Sequence, residues 1–232
     1  NYNPKTARLY EDLGLLSADP QLGSDLTQLF NFLTGYGRNV QYHRLLVAPN
    51  ALRSGIADLV RNEMAAPGGG RIVLKLNSLA DAEMIDLLYE ASQAGVQIDL
   101  IVRGICCLVP GVPGLSDNIR VRSLVGRYLE HSRLYRFANG AGPSRPRHYI
   151  GSADLMPRNL DRRVEALVPV LDPTLQARLE EVLHLCLTDD RLAWALGPDG
   201  RWQRPPAGGA RNVQSRLQEL AVDRVGRRDL PT

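Results

Sequence analysis

Apolar positions recur along the chain at two spacings, and the spacing marks the elements. Leu26, Leu29, Phe30 and Leu33 stand at helical spacing, and Ser24 and Asp25 are side chains able to cap a helix start, so a helix is expected from residue 19 or 24 to a stop near Gly35. Residues 45–48 are a short apolar run that reads as a buried strand. Leu52, Ile56, Ala57, Leu59 and Val60 predict a helix over 52–64, ended by Pro67-Gly68-Gly69-Gly70. Residues 71–76 (RIVLKL) then read as strand, 80–93 as an amphipathic helix closed by Gly95, and 97–102 (QIDLIV) as strand: a βαβ unit, which calls for a parallel pair. Past a Pro- and Gly-rich loop at 109–114 come strand candidates at 119–125, 133–137, 147–150 and 165–171. Asp172 as cap and Pro173 in the first turn open a helix over 174–187. Residues 197–210 (GPDGRWQRPPAGGA) read as loop, and 213–222 as a short helix fraying into Arg227-Arg228.

Strand and helix alternate, so the expected class is α/β, a mixed sheet flanked by helices. The main domain spans 45–196, residues 1–44 belong to a different unit, and 197–232 form a partly helical tail. No internal repeat points to a solenoid. With 232 residues, 44% of them hydrophobic, the chain can build a sizeable core, which excludes disordered and fibrous classes. No run of 18 apolar residues and no signal-peptide pattern occurs, so a soluble protein is expected, with peripheral membrane contact left open. The three cysteines, Cys106, Cys107 and Cys186, are odd in number and two are adjacent. That argues against a disulfide framework and for a reducing cytoplasm, and it is poor geometry for a tetrahedral zinc, so Cys106 and Cys107 read as a buried, inert pair. The chain opens at Asn1 in a polar stretch, which points to a piece of something longer.

Charge changes the picture in one place. Lysine occurs only at Lys5 and Lys75, and the other 26 basic residues are arginine. A guanidinium is permanently charged and grips phosphate oxygens in pairs, but a GC-rich composition gives the same ratio, so location must decide. Residues 103–163 hold 11 arginines against Asp117, Glu130, Asp154 and Asp161, a net of +7, while the flanks carry −3 and −1. This block is either a polyanion site or a solvated basic face. It contains Glu130-His131-Ser132-Arg133 just before a strand, where His131 and Arg133 point to one side and can meet one phosphoryl group. A Gly151-Ser152 turn with Asp154 and Asn159 behind it can supply further donors. A His-x-Arg pair is equally what a structural histidine looks like; His43, His148 and His184 lack any partner pattern and read as structural. Gly68-Gly69-Gly70 precedes a strand, so it is a turn and not a phosphate cradle.

Residues 1–10 (NYNPKTARLY), 13–19 (LGLLSAD), 102–113 (VRGICCLVPGVP), 128–133 (YLEHSR) and 150–165 (IGSADLMPRNLDRRVE) together resemble the C-terminal part of bacterial polyphosphate kinases. They run in order to about residue 190, and residues after 196 carry no signature. The resemblance implies reversible transfer of the terminal phosphate of ATP to polyphosphate through a phosphohistidine, with magnesium required. It implies two phospholipase D-like α/β domains related by a pseudo-twofold axis, each giving an HxK or HxR motif to a shared tunnel. Residues 45–196 would be the second such domain and residues 1–44 the end of the first. His131-Ser132-Arg133 is then the second motif; the first, with the phosphorylated histidine, would precede Asn1, so the chain alone is expected to be inactive.

Carried over residue by residue, the nucleotide meets Tyr10, Arg103 and His131. Arg103 sits at the C-terminal end of a predicted strand, where ligands gather in open α/β sheets. His131 would act as general acid toward the departing nucleotide phosphate, with Arg133 beside it. Ser152, Asp154 and Asn159 are candidate phosphate-binding residues. The residues the family uses with magnesium also fall before Asn1, so no Mg2+ ligand is assigned. Expected partners are ATP, ADP and inorganic polyphosphate, with homo-oligomers at full length. Nucleic acid is not expected, since no motif for it appears and only 6% of residues are aromatic. Two other readings compete: a phospholipase D-like phosphodiesterase whose His131 residues meet across a dimer axis, against which the arginine at 133 counts, and a non-catalytic polyanion-binding module.

Overall fold

The computed structural model describes residues 3–36, 41–205, 209 and 211–228. The first half runs α1 (Pro4–Ala7), β1 (Tyr10–Glu11), α2 (Pro20–Leu33), β2 (Leu46–Val47), α3 (Leu52–Met64), β3 (Arg71–Leu76), α4 (Ala82–Gln93) and β4 (Gln97–Val102). The second runs β5 (Ile119–Leu124), β6 (Leu129–Glu130), β7 (Arg133–Phe137), β8 (Arg147–Gly151), α5 (Pro157–Asp161), β9 (Ala166–Val170), α6 (Pro173–Thr188), β10 (Ala193–Leu196), β11 (Trp202–Gln203) and α7 (Val213–Arg228).

Among the described residues nine strands form one mixed sheet in the order β11-β10-β5-β4-β3-β7-β8-β9-β2. The expected βαβ unit is there: β3 and β4 pair in parallel from Arg71 with Gln97 to Leu76 with Val102, and β5 adds in parallel to β4. The α/β class read from the sequence holds. Helices cover both faces, which is why the parallel strands are apolar without alternation. Ile72, Leu74 and Leu76 of β3 pack into a core with α3 and α4, while Val73 packs with Leu179, Val182 and Leu183 of α6 and Val213 of α7. Lys75 interrupts the run on the α6 side, yet is only 2% exposed.

Four expectations are corrected by packing. The cap of α2 is Asp19, accepting the N–H of Gln21 and Leu22, and the expected caps Ser24 and Asp25 lie inside the helix, Asp25 fully buried. Its carboxylate instead accepts from the backbone N–H of His43 at 2.9 Å, Arg44 at 2.6 Å and Leu45 at 2.9 Å, aiming the chain into β2. The loop at 197–210 holds a strand, β11, which extends the sheet edge antiparallel to β10; residues 206–208 and 210 lie outside the described part. The helix read over 213–222 continues to Arg228, beyond which residues 229–232 lie outside the described part. Cys106 and Cys107 are not a buried pair. Cys107 is exposed, because its backbone N–H is fixed to Leu79 O and the side chain faces out, whereas Cys106 is half-buried and burial pushes its thiol up to about 11. Among the described residues no helix is long and apolar enough to cross a membrane.

Residues 10–11, read as part of another unit, pair in parallel with β6, Tyr10 opposite Leu129 and Glu11 opposite Glu130. This two-stranded ladder places the start of the chain against the basic block.

Candidate functional site

Parallel strands deliver their C-terminal ends to one edge of the sheet. There β3 passes into Asn77 and β4 into Arg103, beside the turn that carries His131 from β6 to β7. Asn77 is 3% exposed and ties the other two together: its Nδ2 donates to the His131 carbonyl at 3.3 Å, and its Oδ1 accepts from Arg103 Nε at 2.8 Å.

His131 is held on every side. Arg133 Nη1 donates to the His131 carbonyl at 3.2 Å and lies 3.3 Å from its Nε2. A guanidinium can only donate, so this contact assigns Nε2 as acceptor and the proton to Nδ1, which faces Asp12 Oδ2 at 3.5 Å. The rings of Tyr10 and His131 meet in a T-shaped arrangement at a centroid distance of 5.0 Å and an interplanar angle of 85°. Burial, then the charge of Arg133, hold the His131 pKa below its ordinary value against the opposing pull of Asp12. Arg133 is in turn gripped by Asp154, with Nε to Oδ1 at 3.3 Å and Nη2 to Oδ2 at 3.0 Å. Asp154 Oδ1 also accepts from the backbone N–H of Asn77 at 2.7 Å, which joins the β8 end of the site to the β3 end.

Beneath this layer lies a buried charge cluster. Lys75 Nζ reaches Glu11 Oε2 at 2.9 Å, Glu130 Oε2 at 3.0 Å and Ser132 Oγ at 2.7 Å. Burial pulls the Lys75 ammonium down, and the two carboxylates more than reverse it, so it stays charged. Beside the layer is a groove of about 480 Å³ lined by Tyr10, Arg103, Arg127, Tyr128 and Glu130 among others, with the Arg127 guanidinium 5.2 Å from the Tyr128 ring centroid. Two arginines and two aromatic rings around one concavity suit a ligand that has both phosphates and a flat ring.

The structure thus brings Tyr10, Arg103, His131, Arg133 and Asp154 together. Ser152 and Asn159 are engaged elsewhere: Ser152 Oγ accepts from Ala166 N at 3.2 Å, and Asn159 Nδ2 donates to Glu165 Oε1 at 2.7 Å. Sequence reasoning missed Asn77, Lys75, Glu11 and Asp12. A signal existed for two of them: Lys75 is a lone cation inside an apolar strand, and Asn77 a polar residue at the C-terminal end of a parallel one. Among the described residues no group of three or more His, Cys, Asp or Glu side chains is placed to hold a metal ion, so the magnesium that the resemblance implies finds no ligand set in them.

Residues 45–216 match the family model for polyphosphate kinase C-terminal domain 2, and residues 1–39 that for polyphosphate kinase C-terminal domain 1. The polyphosphate kinase of Streptomyces coelicolor is 52% identical over 231 residues, covering 98% of this chain and 31% of that protein. That of a Synechocystis species is 57% identical over 211 residues, covering 89% and 29%. The crystal structure of polyphosphate kinase from Porphyromonas gingivalis matches with a TM-score of 0.90 at 38% identity, over 97% of this chain and 35% of that one. The chain therefore spans about a third of the length of these relatives. The matched models cover both the β1 segment that supplies Tyr10 and the sheet edge that supplies Arg103 and His131, and on that ground the chain belongs to the polyphosphate kinase family.

Proposed function

We propose that this chain is the nucleotide- and phosphate-binding portion of a polyphosphate kinase, which reversibly transfers the terminal phosphate of ATP to polyphosphate through a phosphohistidine contributed from outside these residues. The observation that carries the reading is convergence. Tyr10, Arg103 and His131, the positions the resemblance links to the nucleotide, lie up to 121 residues apart and meet around one buried asparagine and one groove.

Each residue has a chemical part in this reading. Arg103 commits only its Nε to Asn77 in the bonds described, and its fork grips phosphate oxygens. The aromatic edges of Tyr10 and Tyr128 pack the base. In the free chain burial and Arg133 hold the His131 pKa below its ordinary value; a polyanion arriving beside it pushes that pKa back up and so favours the protonated imidazole. When the bond between the terminal phosphorus and the bridging oxygen breaks and phosphorus bonds to the nucleophilic histidine nitrogen, that proton passes from His131 to the departing ADP oxygen. Arg133, gripped by Asp154, orients the ring rather than clamping phosphate, and the exposed hydroxyl of Ser152 is left to donate to the polymer. A cytoplasmic setting, where ATP is plentiful, goes with this assignment.

The test is calorimetric titration of the chain with ATP. Binding should weaken by roughly ten-fold or more in Arg103→Ala, the loss expected for a charged hydrogen-bonding partner. Wild-type chain that ignores millimolar ATP, or Arg103→Ala chain that binds as wild type does, defeats the reading. Polyphosphate synthesis by the chain alone would place the nucleophile within it.

A further inference from the structure

We propose that Gln214, in the first turn of α7, is a positioning residue: it sets the groove wall formed by Tyr128 and Glu130, and through them the place of His131. The stretch between β5 and β7 is short, and β6 inside it has two residues, so little within it fixes its own path. It is held from both flanks instead. On one flank β1 takes the alternate backbone groups, Leu129 N donating to Leu9 O at 2.7 Å and His131 N to Glu11 O at 3.2 Å. On the other flank no strand lies among the described residues, and the side chain of Gln214 does the pairing. Gln214 Oε1 accepts from Tyr128 N at 3.0 Å, while its Nε2 donates to Tyr128 O at 2.8 Å and to Glu130 Oε1 at 2.8 Å. The amide thus imitates a strand partner for Tyr128.

Three details show that the fit is tight. Gln214 is 5% exposed. A Cβ at Gly126 would stand 2.5 Å from Gln214 Oε1, so the loop approaches this closely only because that residue is glycine. One turn further along α7, Gln218 Nε2 donates to the Tyr128 hydroxyl at 2.7 Å. The helix start is itself fixed: Asp189 Oδ2 accepts from Val213 N at 2.7 Å, and its Oδ1 accepts from the N–H groups of Arg191, Leu192 and Ala193. The end of α6 therefore places α7, Gln214 places Tyr128 and Glu130, and the groove shared with Tyr10, Arg103 and Arg127 takes its width from that wall.

The inference deepens the proposed function and rests on the groove being the nucleotide site, but the position of His131 can be read without any ligand. The experiment compares Gln214→Met, which keeps length and loses the amide, with Ile56→Val, which loosens the core between α3 and the opposite face of the sheet and touches neither α7 nor residues 126–130. Two quantities are measured on the full chain: ATP affinity by calorimetry, and the His131 imidazole titration by NMR. Gln214→Met should weaken ATP binding by about five-fold or more and move the His131 midpoint up toward its ordinary value, while Ile56→Val, although it also lowers thermal stability, changes neither. Equal effects of the two variants, or an unmoved His131 midpoint in Gln214→Met, overturn the proposal. If the wild-type chain does not bind ATP, the functional reading fails and the His131 titration alone decides this one. Should Gln214→Met not fold, Gln214→Glu, which still accepts from Tyr128 N but cannot donate to Tyr128 O, is read by the same criteria.

Discussion

Replacing Lys75 by methionine removes the cation from the cluster under the site and little else, since the two side chains have similar length and the stem stays buried. Glu11 and Glu130, 14% and 4% exposed in their side chains, are then left facing each other, Glu11 with Ser132 and Glu130 with Gln214 as the remaining donor. Breaking a buried ion cluster by deleting one partner costs about 3–5 kcal/mol, and in a chain of this size each kcal/mol lowers Tm by roughly 2–4 °C, so a fall on the order of 10 °C is expected at pH 7. The pH dependence carries the sharper test. In the wild type Glu130 is raised, by burial first and then by Glu11, whereas Glu11 is lowered because Lys75 and Ser132 outweigh its burial. Without Lys75 both folded-state values rise above the ordinary glutamate value of 4.5. A group raised in the folded state contributes stability below its unfolded pKa and loses it as pH climbs through the folded one. The deficit of Lys75→Met must therefore shrink as pH falls from 7 toward about 4.5. Urea unfolding followed by the fluorescence of Trp194 and Trp202 at several pH values reads it directly. A deficit under about 1 kcal/mol at pH 7, or one that does not change with pH, would refute the charge argument, and the triple variant with Glu11→Gln and Glu130→Gln should recover most of the loss.

Asp154→Asn should cost about 2 kcal/mol in urea unfolding and weaken ATP binding several-fold, because the two-pronged grip on Arg133 is lost and Arg133 orients the His131 ring; unchanged affinity would show that this grip serves folding alone. Glu180 is held down to about 2, since hydrogen bonds from His148 and Arg136 outweigh its burial. A lowered carboxylate contributes stability above its unfolded pKa of about 4.5 and loses it as pH falls toward 2; with the side chain 42% exposed, screening leaves roughly 1–2 kcal/mol. Glu180→Gln should flatten the stability profile between those two pH values, and an unaltered slope sinks the assignment.

Local periodicity made α3, β3, α4, β4 and α6 legible to within a residue or two, because each buries a face whose spacing is written in its own residues. The two-residue strands β1, β6 and β11 have no period to read, and they exist only because a partner strand is already in place. Asp25 shows the same limit for a single side chain: a carboxylate near a helix start looks like a cap, and only the return of residues 43–45 past it reveals three backbone donors that need an acceptor. At the candidate site, Tyr10 and Arg103 were named only through the family resemblance, whereas His131 was singled out first by its spacing to Arg133 inside the basic block. Asn77 was not, since its function depends on bonds to residues 26 and 54 positions away. Gln214 was hidden for the same reason, lying 86 residues from the peptide it pairs with.

The arginine block illustrates how far a charge count can mislead even when it points to the right stretch of chain. Residues 103–163 carry a net of +7, yet several of their guanidinium groups are already committed. Arg133 is held by Asp154, Arg136 by Glu180, and Arg122, half-buried, donates to the carbonyl oxygens of Cys186 and Asp189. Arg163 stands 3.9 Å from Glu165. A guanidinium surrounded by acceptors of its own chain has little left to offer a phosphate, whatever it adds to the formal charge. Arg103 and Arg127 differ in kind. They line the groove that also presents Tyr10 and Tyr128, where the charge of Arg103 is oriented by a buried asparagine and that of Arg127 by an aromatic ring. Which arginines are left without a carboxylate partner among the described residues is a property of the pairing of distant strands that no window of sequence contains.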